Sequence, residues 1–511
     1  MAAEIELKLA VAPEQLPRLA RLPLLKSAAR ARATHLFSVY YDTPDLELRN
    51  QGVALRLRRD RSRWVQTLKT AGRVDAGLHQ REELETPVPA QIISFPALAQ
   101  SGAAPILTDP GLPLKLRPVF TTDFWRSVRL IEPEPGSQIE LCIDRGTITA
   151  TGAQAPIHEI ELELKAGAAE RIVDLALGVL EHVPVRLEPA SKAERGYALA
   201  EAGAAMPVKA SPPALTAAMT VSDAFHEVVF GCIAHLQANE RGVLDSDDPE
   251  YLHQARVALR RLRSSLTVFR PAFPQLLFSE LVPELRWLGS QLGPARDWDV
   301  FATESLPAVC TAFPGDEGLH RVTEQVAQMR AAADDAARES LLAPRYTRLL
   351  LELIRWFLRQ PWTTLPDPAA AAERERPLRE FAAAVLERRH QKILKRKRNP
   401  AHLDTAGLHQ LRIQAKKLRY AAEFFAGLYD RKAVRDYVVA MARVQDCLGA
   451  LNDAATAERL LETLRANGGP DLSSEAIGLM RGWVAASTRA GLEKLPEDWK
   501  RLHTVKPFWS D

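Results

Sequence analysis

The stretch Glu4-Ile5-Glu6-Leu7-Lys8 opens the chain with charged and apolar residues in strict alternation. Successive side chains of a β-strand point to opposite faces, so the alternation predicts a strand with two carboxylates and an ammonium on one face. The other face, which continues to Leu9, is apolar and is expected to pack against the rest of a domain. The pattern returns in Glu159-Ile160-Glu161-Leu162-Glu163-Leu164-Lys165. Such an ionic sheet face suits a polyanion held through a divalent metal.

The global composition bounds the class of protein. The chain has 511 residues, 46% of them hydrophobic, which is enough for large cores in two or three domains. Its four cysteines form no CxxC pair, which argues against a zinc cluster or a disulfide scaffold and favours a reducing compartment. No stretch approaches the roughly 18 apolar residues of a membrane span, and the acidic N-terminus does not resemble a signal peptide. We therefore expect a soluble, cytoplasmic protein with no membrane partner.

The chain divides into two regions of different periodicity. Residues 1–203 contain short alternating strand patterns, such as Val53–Arg58 and Ile139–Ile143, with glycines at the joints. Residues 204–214 contain three prolines and predict a linker. From about residue 215 to 505 the apolar residues follow the 3.6-residue period of helices. The sequence therefore predicts an α+β multidomain protein with an antiparallel sheet domain followed by an all-α domain.

An internal repeat occupies the helical region. His253-Gln-Ala-Arg256-Val-Ala-Leu-Arg260-Arg261-Leu-Arg263 matches the stretch from His409 to Arg419 at an offset of 156 residues. The same offset relates Gly293 to Gly449 without any gap. The match indicates a duplication whose halves span about 215–370 and 371–505, each several helices long.

Each copy of the repeat carries a stripe of cations on one helix face. At 100° per residue the four stripe residues of each copy fall within an arc of about 80°. A solvated helix face usually intersperses acids for i,i+4 pairing, but neither stripe contains an acid, so an anionic ligand is expected. The stripe residues are His253, Arg256, Arg260 and Arg263 in the first copy and His409, Arg412, Lys416 and Arg419 in the second.

A further basic run, Arg388–Arg398, has seven Lys and Arg residues and no acid. Nucleic acid is the usual ligand of such runs. The stripes, however, have no interleaved aromatic residues for stacking bases, and no recognisable nucleic-acid module surrounds them. Arginine forks and lysine charges alone satisfy a ligand made only of phosphates, so we expect no nucleic-acid partner.

Over about residues 215–505 the helical region resembles the CHAD family. The resemblance rests on the basic repeat, on Leu292–Asp299 and on its partner Gln445–Asp453. It implies an all-α pair of four-helix bundles that binds inorganic polyphosphate along a basic channel. The residues to which it assigns polyphosphate binding are His253, Arg256, Arg260, Arg261, Arg263, His409, Arg412, Lys416, Lys417 and Arg419.

Charged residues also alternate on several further strands of the first region, as in Arg56 and Arg58 or Glu83 and Glu85. One such strand is an ordinary sheet strand with a wet face, but six or seven of them indicate an antiparallel barrel with a charged lumen. Carboxylate oxygens suit Mg²⁺ or Mn²⁺, and the cations would neutralise phosphates that the metal does not reach. Water is the expected nucleophile, because the sequence has no P-loop and no recognisable Ser or Cys nucleophile motif.

Residues 1–203 resemble the CYTH family, the triphosphate tunnel metalloenzymes. The resemblance rests on Glu4-x-Glu6-x-Lys8, Tyr40–Pro44, Gly52–Arg58, Gln66–Lys69 and Glu159-x-Glu161-x-Glu163. It implies an eight-stranded antiparallel tunnel with flanking helices that hydrolyses or cyclises triphosphates with Mg²⁺ or Mn²⁺.

The CYTH resemblance also implies residue roles. The metal ligands it implies are Glu4, Glu6, Asp144, Glu159, Glu161 and Glu163. The substrate-binding residues it implies are Lys8, Arg56, Arg58, Lys69, Glu83, Glu85, Arg126, Lys192 and Arg195. Glu4, Glu6 and Lys8 are the catalytic candidates, Lys8 by assisting the attacking water or the leaving group. Arg117, Arg126 and Arg129 compete for one phosphate-binding role, and the choice among the three glutamates of 159–163 stays open.

Together the two resemblances imply a metal-dependent inorganic triphosphatase that converts PPPi to PPi and Pi, with a polyphosphate-binding module attached. The alternatives are a thiamine triphosphatase, an adenylate cyclase, and a non-enzymatic polyphosphate-binding or granule-targeting protein. Retention of both glutamate pairs and of the cations argues against the non-enzymatic alternative. The metal preference, the oligomeric state, the domain orientation and the role of long polyphosphate as substrate or tether stay open.

Overall fold

The computed structural model describes residues 4–19, 21–25, 33–70, 72–201, 206–394, 400, 403–467 and 473–510. The chain divides into two compact units, and neither of them is one continuous segment. The first unit is Met1–Met206 with Leu342–Gln360, and the second is Pro207–Leu341 with Pro361–Asp511. A short segment from within the helical region therefore belongs to the strand-containing unit.

Eleven described strands form one antiparallel sheet in the first unit. The strands are β1 (Glu4–Val11), β2 (Thr34–Asp42), β3 (Val53–Asp60), β4 (Arg63–Thr70), β5 (Arg73–Asp75), β6 (Leu78–Arg81), β7 (Glu83–Val88), β8 (Arg117–Ile131), β9 (Gln138–Ala150), β10 (Ala153–Ala166) and β11 (Val185–Leu187). Their order is β5-β6-β1-β10-β9-β8-β2-β3-β4-β7, and β11 pairs with β1.

The sheet curls back on itself through β6 and β7. These strands are separated by Glu82 alone, and β6 pairs with β1 whereas β7 pairs with β4. The Thr70 amide also donates a hydrogen bond to the Glu82 carbonyl at 3.2 Å. With β6 and β7 taken as one interrupted strand, eight strands complete a circuit that returns to β1. This arrangement confirms the expected antiparallel tunnel, to which β5 and β11 are short additions.

The chain also contains helices in both regions. The helices are α1 (Leu16–Leu19), α2 (Glu47–Asn50), α3 (Phe95–Ser101), α4 (Leu112–Lys115), α5 (Glu170–Leu180), α6 (Lys192–Ala200), α7 (Val221–Asp245), α8 (Pro249–Val268), α9 (Leu281–Val300), α10 (Leu306–Ala312), α11 (Glu317–Leu342), α12 (Pro344–Arg359), α13 (Pro368–Glu375), α14 (Leu378–Leu394), α15 (Thr405–Phe425), α16 (Arg431–Asn467), α17 (Ser474–Leu492) and α18 (Leu495–Thr504). The second unit is thus largely helical, as expected.

Register places the charged residues of neighbouring strands on one face of the sheet. Lys8 lies opposite Glu161, and Asp144 lies opposite both Glu159 and Arg126. Leu7 and Leu9, at the alternate positions of β1, are wholly buried on the other face. That face packs against α5, so burial of apolar side chains on the outside fixes the ionic side chains on the inside.

The internal duplication is visible in the helix bounds. Helix α8 begins at Pro249 and α15 begins at Thr405, which are separated by the same 156 residues as the repeated motifs. The two helices pack against each other within the second unit. An aspartate side chain caps each N-terminus, Asp248 on α8 and Asp404 on α15.

Helix α12 packs on the strand-containing unit. It contacts α5 and β11, and the Thr347 hydroxyl donates to the Val185 carbonyl at 3.0 Å. Arg355 and Arg359 both pair with Asp174 of α5, at 3.3 and 3.1 Å. The apolar side of α12, which includes Leu351, is buried. A helical period reveals such a face but not its partner, so the sequence assigned α12 to the helical region.

No described helix is long and apolar enough to span a membrane. The four cysteines are free thiols, three of them buried. Burial raises the pKa of Cys232 to about 11, and this thiol is packed in the core of α7. A buried thiol with a raised pKa is inert, which agrees with the absence of a cysteine nucleophile motif from the sequence.

Candidate functional site

The ionic face of the curled sheet encloses a cavity of about 480 Å³. Twelve of the residues singled out from the sequence line it directly, and Asp144, Glu159 and Arg195 lie beside it. The lining cations are Lys8, Arg56, Arg58, Lys69, Arg81, Arg126, Lys165 and Lys192. The lining carboxylates are Glu4, Glu6, Glu83, Glu85, Glu161 and Glu163. Charges of both signs are therefore interleaved, with an excess of cations.

Helix α6 places Lys192 at one end of this cavity. Ser191 and Glu194 form a capping box, in which each side chain accepts a hydrogen bond from the other residue's amide, so the helix begins at Lys192. The helix lies close against β8, because a Cβ atom on Gly196 would come within 2.1 Å of the Phe120 ring. A glycine is thus required here for α6 to reach the sheet.

The deepest part of the site is a cluster of three carboxylates around Lys192. Oxygens of Asp144, Glu159 and Glu161 lie within 4.8 Å of one another. The Lys192 ammonium donates to Asp144 at 2.7 Å and to Glu161 at 2.9 Å, and it also contacts Glu159. Burial lowers the pKa of Lys192, but Asp144 and Glu159 outweigh it and raise the pKa above its ordinary value. These three carboxylates could hold a metal ion.

Arg126 is the one of the three competing arginines that lines the cavity. Its Nε and Nη2 atoms donate to both oxygens of Asp144 at 2.8 and 2.6 Å, a bidentate arrangement. Arg117 instead donates to the backbone carbonyls of Leu114 and Leu116. Arg129 donates to the carbonyl of Leu25 at 2.9 Å. The geometry therefore separates Arg126 from its two neighbours, which the sequence did not.

The two glutamates of β1 differ in their surroundings. Burial raises the pKa of Glu6, but Lys8, at 2.5 Å, and Arg81 outweigh it and lower that pKa to about 2. Burial raises the pKa of Glu4 to about 7. Among the described residues, the Glu4 Oε2 atom is buried with no hydrogen-bond partner, and Lys69 Nζ is 3.8 Å away. Glu6 is held as an anion by two cations, whereas within the described residues Glu4 has only the longer ion pair with Lys69.

Arg58 is the tunnel cation that has no matching carboxylate. Arg56 donates to Glu83 at 3.0 Å, and Lys69 pairs with the same glutamate. For Arg58 no ion pair is formed within the described ranges, and its Nε atom is buried without a hydrogen-bond partner. Burial and the neighbouring Arg56 lower the pKa of Arg58 to about 10. An unpaired guanidinium beside other cations is costly and favours an anion in the cavity.

Two cavity cations were not assigned a role from the sequence. Arg81 on β6 lies opposite Glu4 and pairs with Glu6. Lys165 follows Glu163 on β10 and pairs with it at 2.5 Å. Both residues continue an alternation that was already visible, Arg81 with Glu83 and Lys165 with Glu163. A strict search at every second position would have found them.

The second unit contains a larger basic cavity of about 1120 Å³, here called the groove. Both copies of the repeat contribute to it. The singled-out residues that line it are His253, Arg260, Arg261, Arg412, Lys416 and Arg419. Arg256, Arg263, His409 and Lys417 do not line it, and Arg256 is 3.6 Å from Asp297.

Charge in the groove is dominated by cations, but acids from neighbouring positions enter it. Glu423 pairs with Arg261 at 2.8 Å and with Arg419 at 2.7 Å. Two further arginines, Arg431 and Arg435 of α16, line the groove and lie outside the repeated stripe. Nothing in the stripe pattern could have located them, because they come from a different helix.

Lys416 shows how crowded the groove cations are. Burial and the adjacent Arg412 lower the pKa of Lys416 to about 8. The Nε atom of Arg412 is buried and has no hydrogen-bond partner among the described residues. Unsatisfied donors in a cationic cavity favour an anionic ligand.

Comparison with known proteins agrees with this division of the chain. Residues 2–197 match the CYTH domain model, and residues 227–462 match the CHAD domain model. The chain is 38% identical over 204 residues to an inorganic triphosphatase of Haemophilus influenzae. That match covers 39% of this chain and 55% of the relative, so it spans about half of the relative's length.

This chain matches a larger share of two further relatives. An uncharacterized protein of Mycobacterium tuberculosis is 27% identical over 420 residues, which covers 76% of this chain and 75% of that protein. The crystal structure of the CHAD domain from the plant Ricinus communis is 35% identical, with a TM-score of 0.51. The match covers 98% of that CHAD structure and 59% of this chain. The chain therefore belongs to the CHAD family through its helical region and carries a CYTH domain in its strand-containing region.

Proposed function

We propose that the tunnel is the active site of a metal-dependent inorganic triphosphatase, which hydrolyses PPPi to PPi and Pi. The observation that carries the proposal is the buried Arg58 guanidinium, which forms no ion pair among the described residues although it lies in a cavity lined by carboxylates. A purely structural ion-pair network would pair this guanidinium with a neighbouring carboxylate. The similarity to the Haemophilus inorganic triphosphatase, over about half of that protein, supports the same activity.

The carboxylates of the tunnel fit Mg²⁺ or Mn²⁺. They offer only hard oxygen donors, and the oxygens of three of them lie within 4.8 Å of one another. One Glu4 oxygen is buried without a hydrogen-bond partner among the described residues. When bound, the ion supplies Lewis-acid polarisation of a phosphoryl oxygen and lowers the pKa of a water molecule. The residues proposed to hold it are Glu4, Glu6, Asp144, Glu159, Glu161 and Glu163.

The cations of the tunnel would bind the phosphates. Arg56, Arg58 and Lys69 lie on the adjacent strands β3 and β4, and all three line the cavity. Arg126 and Lys192 line it from β8 and α6. A phosphate chain between these groups would be neutralised along its length, and charge that develops in the transition state would meet donors already in place.

Hydrolysis needs a water and a leaving group that is stabilised as it departs. The water oxygen bonds to the terminal phosphorus, and the bond from that phosphorus to the bridging oxygen breaks. Lys8 is held by Glu6 at 2.5 Å and by Glu161 at 3.1 Å, and it faces the cavity. From this position its ammonium can orient the water or donate a proton to the bridging oxygen. If Lys8 gives its proton to the bridging oxygen, the proton that the water loses restores the Lys8 ammonium; otherwise that proton passes to solvent.

A substrate without a base is favoured over a nucleotide. Two aromatic residues line the tunnel, Tyr40 and Phe124, and they are only 3% and 2% exposed. Tyr40 stacks on Phe120, while Arg126 and Lys192 cover Phe124. Neither ring is therefore available to stack a purine or a thiamine ring, which argues against the cyclase and thiamine triphosphatase alternatives.

A substrate panel tests the activity. The full chain is assayed with Mg²⁺ and with Mn²⁺ against PPPi, thiamine triphosphate and ATP at equal concentration, with phosphate release and cyclic AMP both measured. We expect PPPi to be hydrolysed fastest and no cyclic AMP to form. Binding of PPPi without phosphate release would favour the non-enzymatic alternative. Faster turnover of ATP or thiamine triphosphate would mean that this compound, and not PPPi, is the substrate.

For the helical region we propose binding of inorganic polyphosphate in the groove. Support comes from the cations that both repeats bring together and from the 35% identity to a plant CHAD domain. Arg412→Glu is expected to abolish most of the groove binding while PPPi hydrolysis continues. We also propose that the protein is cytoplasmic and associates with polyphosphate granules. Loss of granule association by the Arg412→Glu variant in cells would test the second point.

A further inference from the structure

The second unit contains a second basic cavity, with a volume of about 540 Å³. Among the described residues, five cations line it and no acid does: Arg270, Arg388, Arg389, Lys392 and Lys417. The remaining lining residues are Thr267, Pro271, Gln410, Ile413 and Gln414. It is called the α14 cavity below, because three of its cations are on that helix.

The α14 cavity and the groove use different faces of α15. Gln410, Ile413, Gln414 and Lys417 face the α14 cavity, whereas Arg412, Lys416 and Arg419 face the groove. At 100° per residue the centres of these two sets are about 140° apart around the helix. The two basic cavities therefore present separate sets of cations.

The cations of the α14 cavity lack carboxylate partners within the described parts of the chain. Arg389 donates from Nη2 to the Thr267 carbonyl at 2.7 Å, which fixes its guanidinium, and its Nε atom is buried without a partner. The acid next to this cluster in sequence, Glu387, is engaged elsewhere. It accepts hydrogen bonds from Trp509 at 2.9 Å and from Gln391 at 2.7 Å.

A solvated helix face is the ordinary explanation for such a run, and two observations weaken it. Solvated faces usually carry acids at i,i+4 positions, and none pairs with Arg388 or Lys392 in the described residues. Arg389 is also partly buried next to Arg388, and burial together with that neighbour lowers its pKa to about 10. Holding a guanidinium in this environment costs free energy that an anion would recover.

The three α14 cations of this cavity have no basic counterparts in the first copy of the repeat. At the offset of 156 residues, the positions of Arg388, Arg389 and Lys392 correspond to Cys232, Ile233 and Leu236 of α7. The three α7 residues are buried in the core. The α14 cations are therefore not a product of the duplicated basic stripe, and the groove does not account for them.

We propose that the α14 cavity is a second binding site for an inorganic phosphate chain. Arginine forks and lysine ammonium groups together suit phosphate oxygens, and the two glutamine amides can donate further hydrogen bonds. No aromatic residue in the described part of the chain lines the cavity, which gives a nucleic acid no stacking surface there. Its volume of about 540 Å³ is similar to the 480 Å³ of the tunnel cavity, so a phosphate chain of the length proposed for the tunnel would fit in it.

Two sites on different faces of one helix would make binding depend on chain length. A short chain would occupy the groove and the α14 cavity independently, as two molecules. A chain long enough to reach both would gain affinity from the second, intramolecular contact. The site would thus favour long polyphosphate without changing hydrolysis in the tunnel.

Calorimetric titration of the full chain with short polyphosphate of defined length tests the proposal. The test variant is Arg388→Gln with Lys392→Gln, which changes two exposed residues and leaves the Arg389 contact intact. The matched control is Arg489→Gln with Lys500→Gln, which removes the same charge from exposed positions outside both cavities. We expect the test variant to lose one binding event or to weaken it about tenfold, and the control to bind as the unaltered chain does.

A groove variant, Arg412→Gln with Lys416→Gln, separates this proposal from the groove proposal. We expect it to keep the α14 event, and we expect the combination of both variants to bind no short chain outside the tunnel. Unchanged stoichiometry and affinity in the α14 variant would overturn the second site while leaving the groove intact. Tighter binding of a single-stranded RNA oligonucleotide than of polyphosphate at this site would contradict the proposal that its ligand is an inorganic phosphate chain. PPPi hydrolysis, measured in parallel, reports independently on the tunnel.

Discussion

The tunnel and the groove both collect cations, but they treat carboxylates differently. Eight cations and six carboxylates line the tunnel, and most of them are paired. In the groove the acids Glu423, Asp446 and Asp453 are outnumbered by seven Lys and Arg residues. A cavity that keeps a matching set of carboxylates is suited to a metal as well as an anion, whereas a mainly cationic cavity needs only the anion. The difference supports our proposal that phosphate hydrolysis takes place in the tunnel and that the groove only binds polyphosphate.

The largest effect is expected from Glu6→Ala in the tunnel. Removing this carboxylate leaves Arg81 without its partner, leaves Lys8 with Glu161 alone among the described residues, and removes a proposed metal ligand. We expect kcat for PPPi to fall by about 10²–10³-fold, while polyphosphate binding in the groove stays the same. Steady-state kinetics and a binding titration on the same sample measure both.

Glu6→Gln is the control for that variant, because it keeps the side-chain shape and removes only the charge. A similar loss of kcat in both variants, with unchanged circular dichroism, would separate chemistry from misfolding. Turnover that is unchanged in Glu6→Ala would contradict the assignment of the tunnel as the active site.

The next effect concerns α12, which lies within the helical region of the sequence but packs on α5 and β11 of the strand-containing unit. Leu351 is wholly buried on the packed face of this helix. We expect Leu351→Ala to lower the free energy of unfolding by about 2–5 kcal/mol, since it leaves a cavity. Leu342→Ala, at a half-exposed leucine just before α12, is the matched control and should cost far less.

Thermal unfolding of both leucine variants, followed together with PPPi hydrolysis, makes the comparison. Loss of hydrolysis at a lower temperature in Leu351→Ala alone would locate the damage in the strand-containing unit. Equal destabilisation by the two variants would mean that α12 adds nothing specific to it. For the same reason we expect a fragment that ends before residue 207 to be less stable than the full chain.

A smaller effect is expected from Arg58→Gln, which removes the unpaired tunnel cation. No carboxylate depends on Arg58 for pairing among the described residues, so the fold should be preserved. We expect KM for PPPi to rise about tenfold or more because a charge-assisted contact to phosphate is lost. Arg59→Gln, at the exposed neighbour on β3, is the matched control. An unchanged KM would show that Arg58 does not touch the substrate.

The smallest effect is a pH dependence of the groove. Burial and Arg412 lower the pKa of Lys416 to about 8, and Arg260, Asp453 and Arg419 also act on it. Lys416 is therefore charged at pH 7 and loses its charge as the pH rises through 8. We expect polyphosphate affinity to fall up to about tenfold between pH 7 and pH 9, with proton uptake on binding near pH 9.

Lys416→Arg is the control for the pH dependence, since arginine stays protonated over this range. The variant should bind with little change between pH 7 and pH 9 and should take up no proton at that residue. The same slope in both proteins would assign the pH dependence to another group or to the ligand. Tunnel hydrolysis provides a second readout that the Lys416 substitution should not alter.

The alternation of charged and apolar residues along the strands predicts most of the tunnel residues. The neighbours of each strand depend on packing, which the alternation does not encode. The inward positions of β1 and β10 could be read directly, because a period of two fixes which side chains share a face. Arg81 follows the same rule, yet it stands one residue before an irregular step at Glu82, where the strand changes partner from β1 to β4. The alternation indicates the face but not the neighbour.

In the helical region, the limits of sequence reasoning have a different cause. Lys416 and Lys417 are adjacent in sequence but 100° apart on α15, so they line different cavities. The run that begins at Arg388 was recognised as anion-binding, although Lys395–Arg398 lie outside the described residues. Its position beside α15 depends on how α14 packs, which a charge run does not encode.

The most direct test of the division between tunnel and groove is metal removal from one sample of the full chain. PPPi hydrolysis and polyphosphate binding are measured before chelation, after chelation, and after Mg²⁺ or Mn²⁺ is restored. We expect hydrolysis to fall to background and to return with the metal, while groove binding stays constant throughout. Hydrolysis that survives chelation, or binding that is lost with it, would contradict the assignment of chemistry to one cavity and retention to the other.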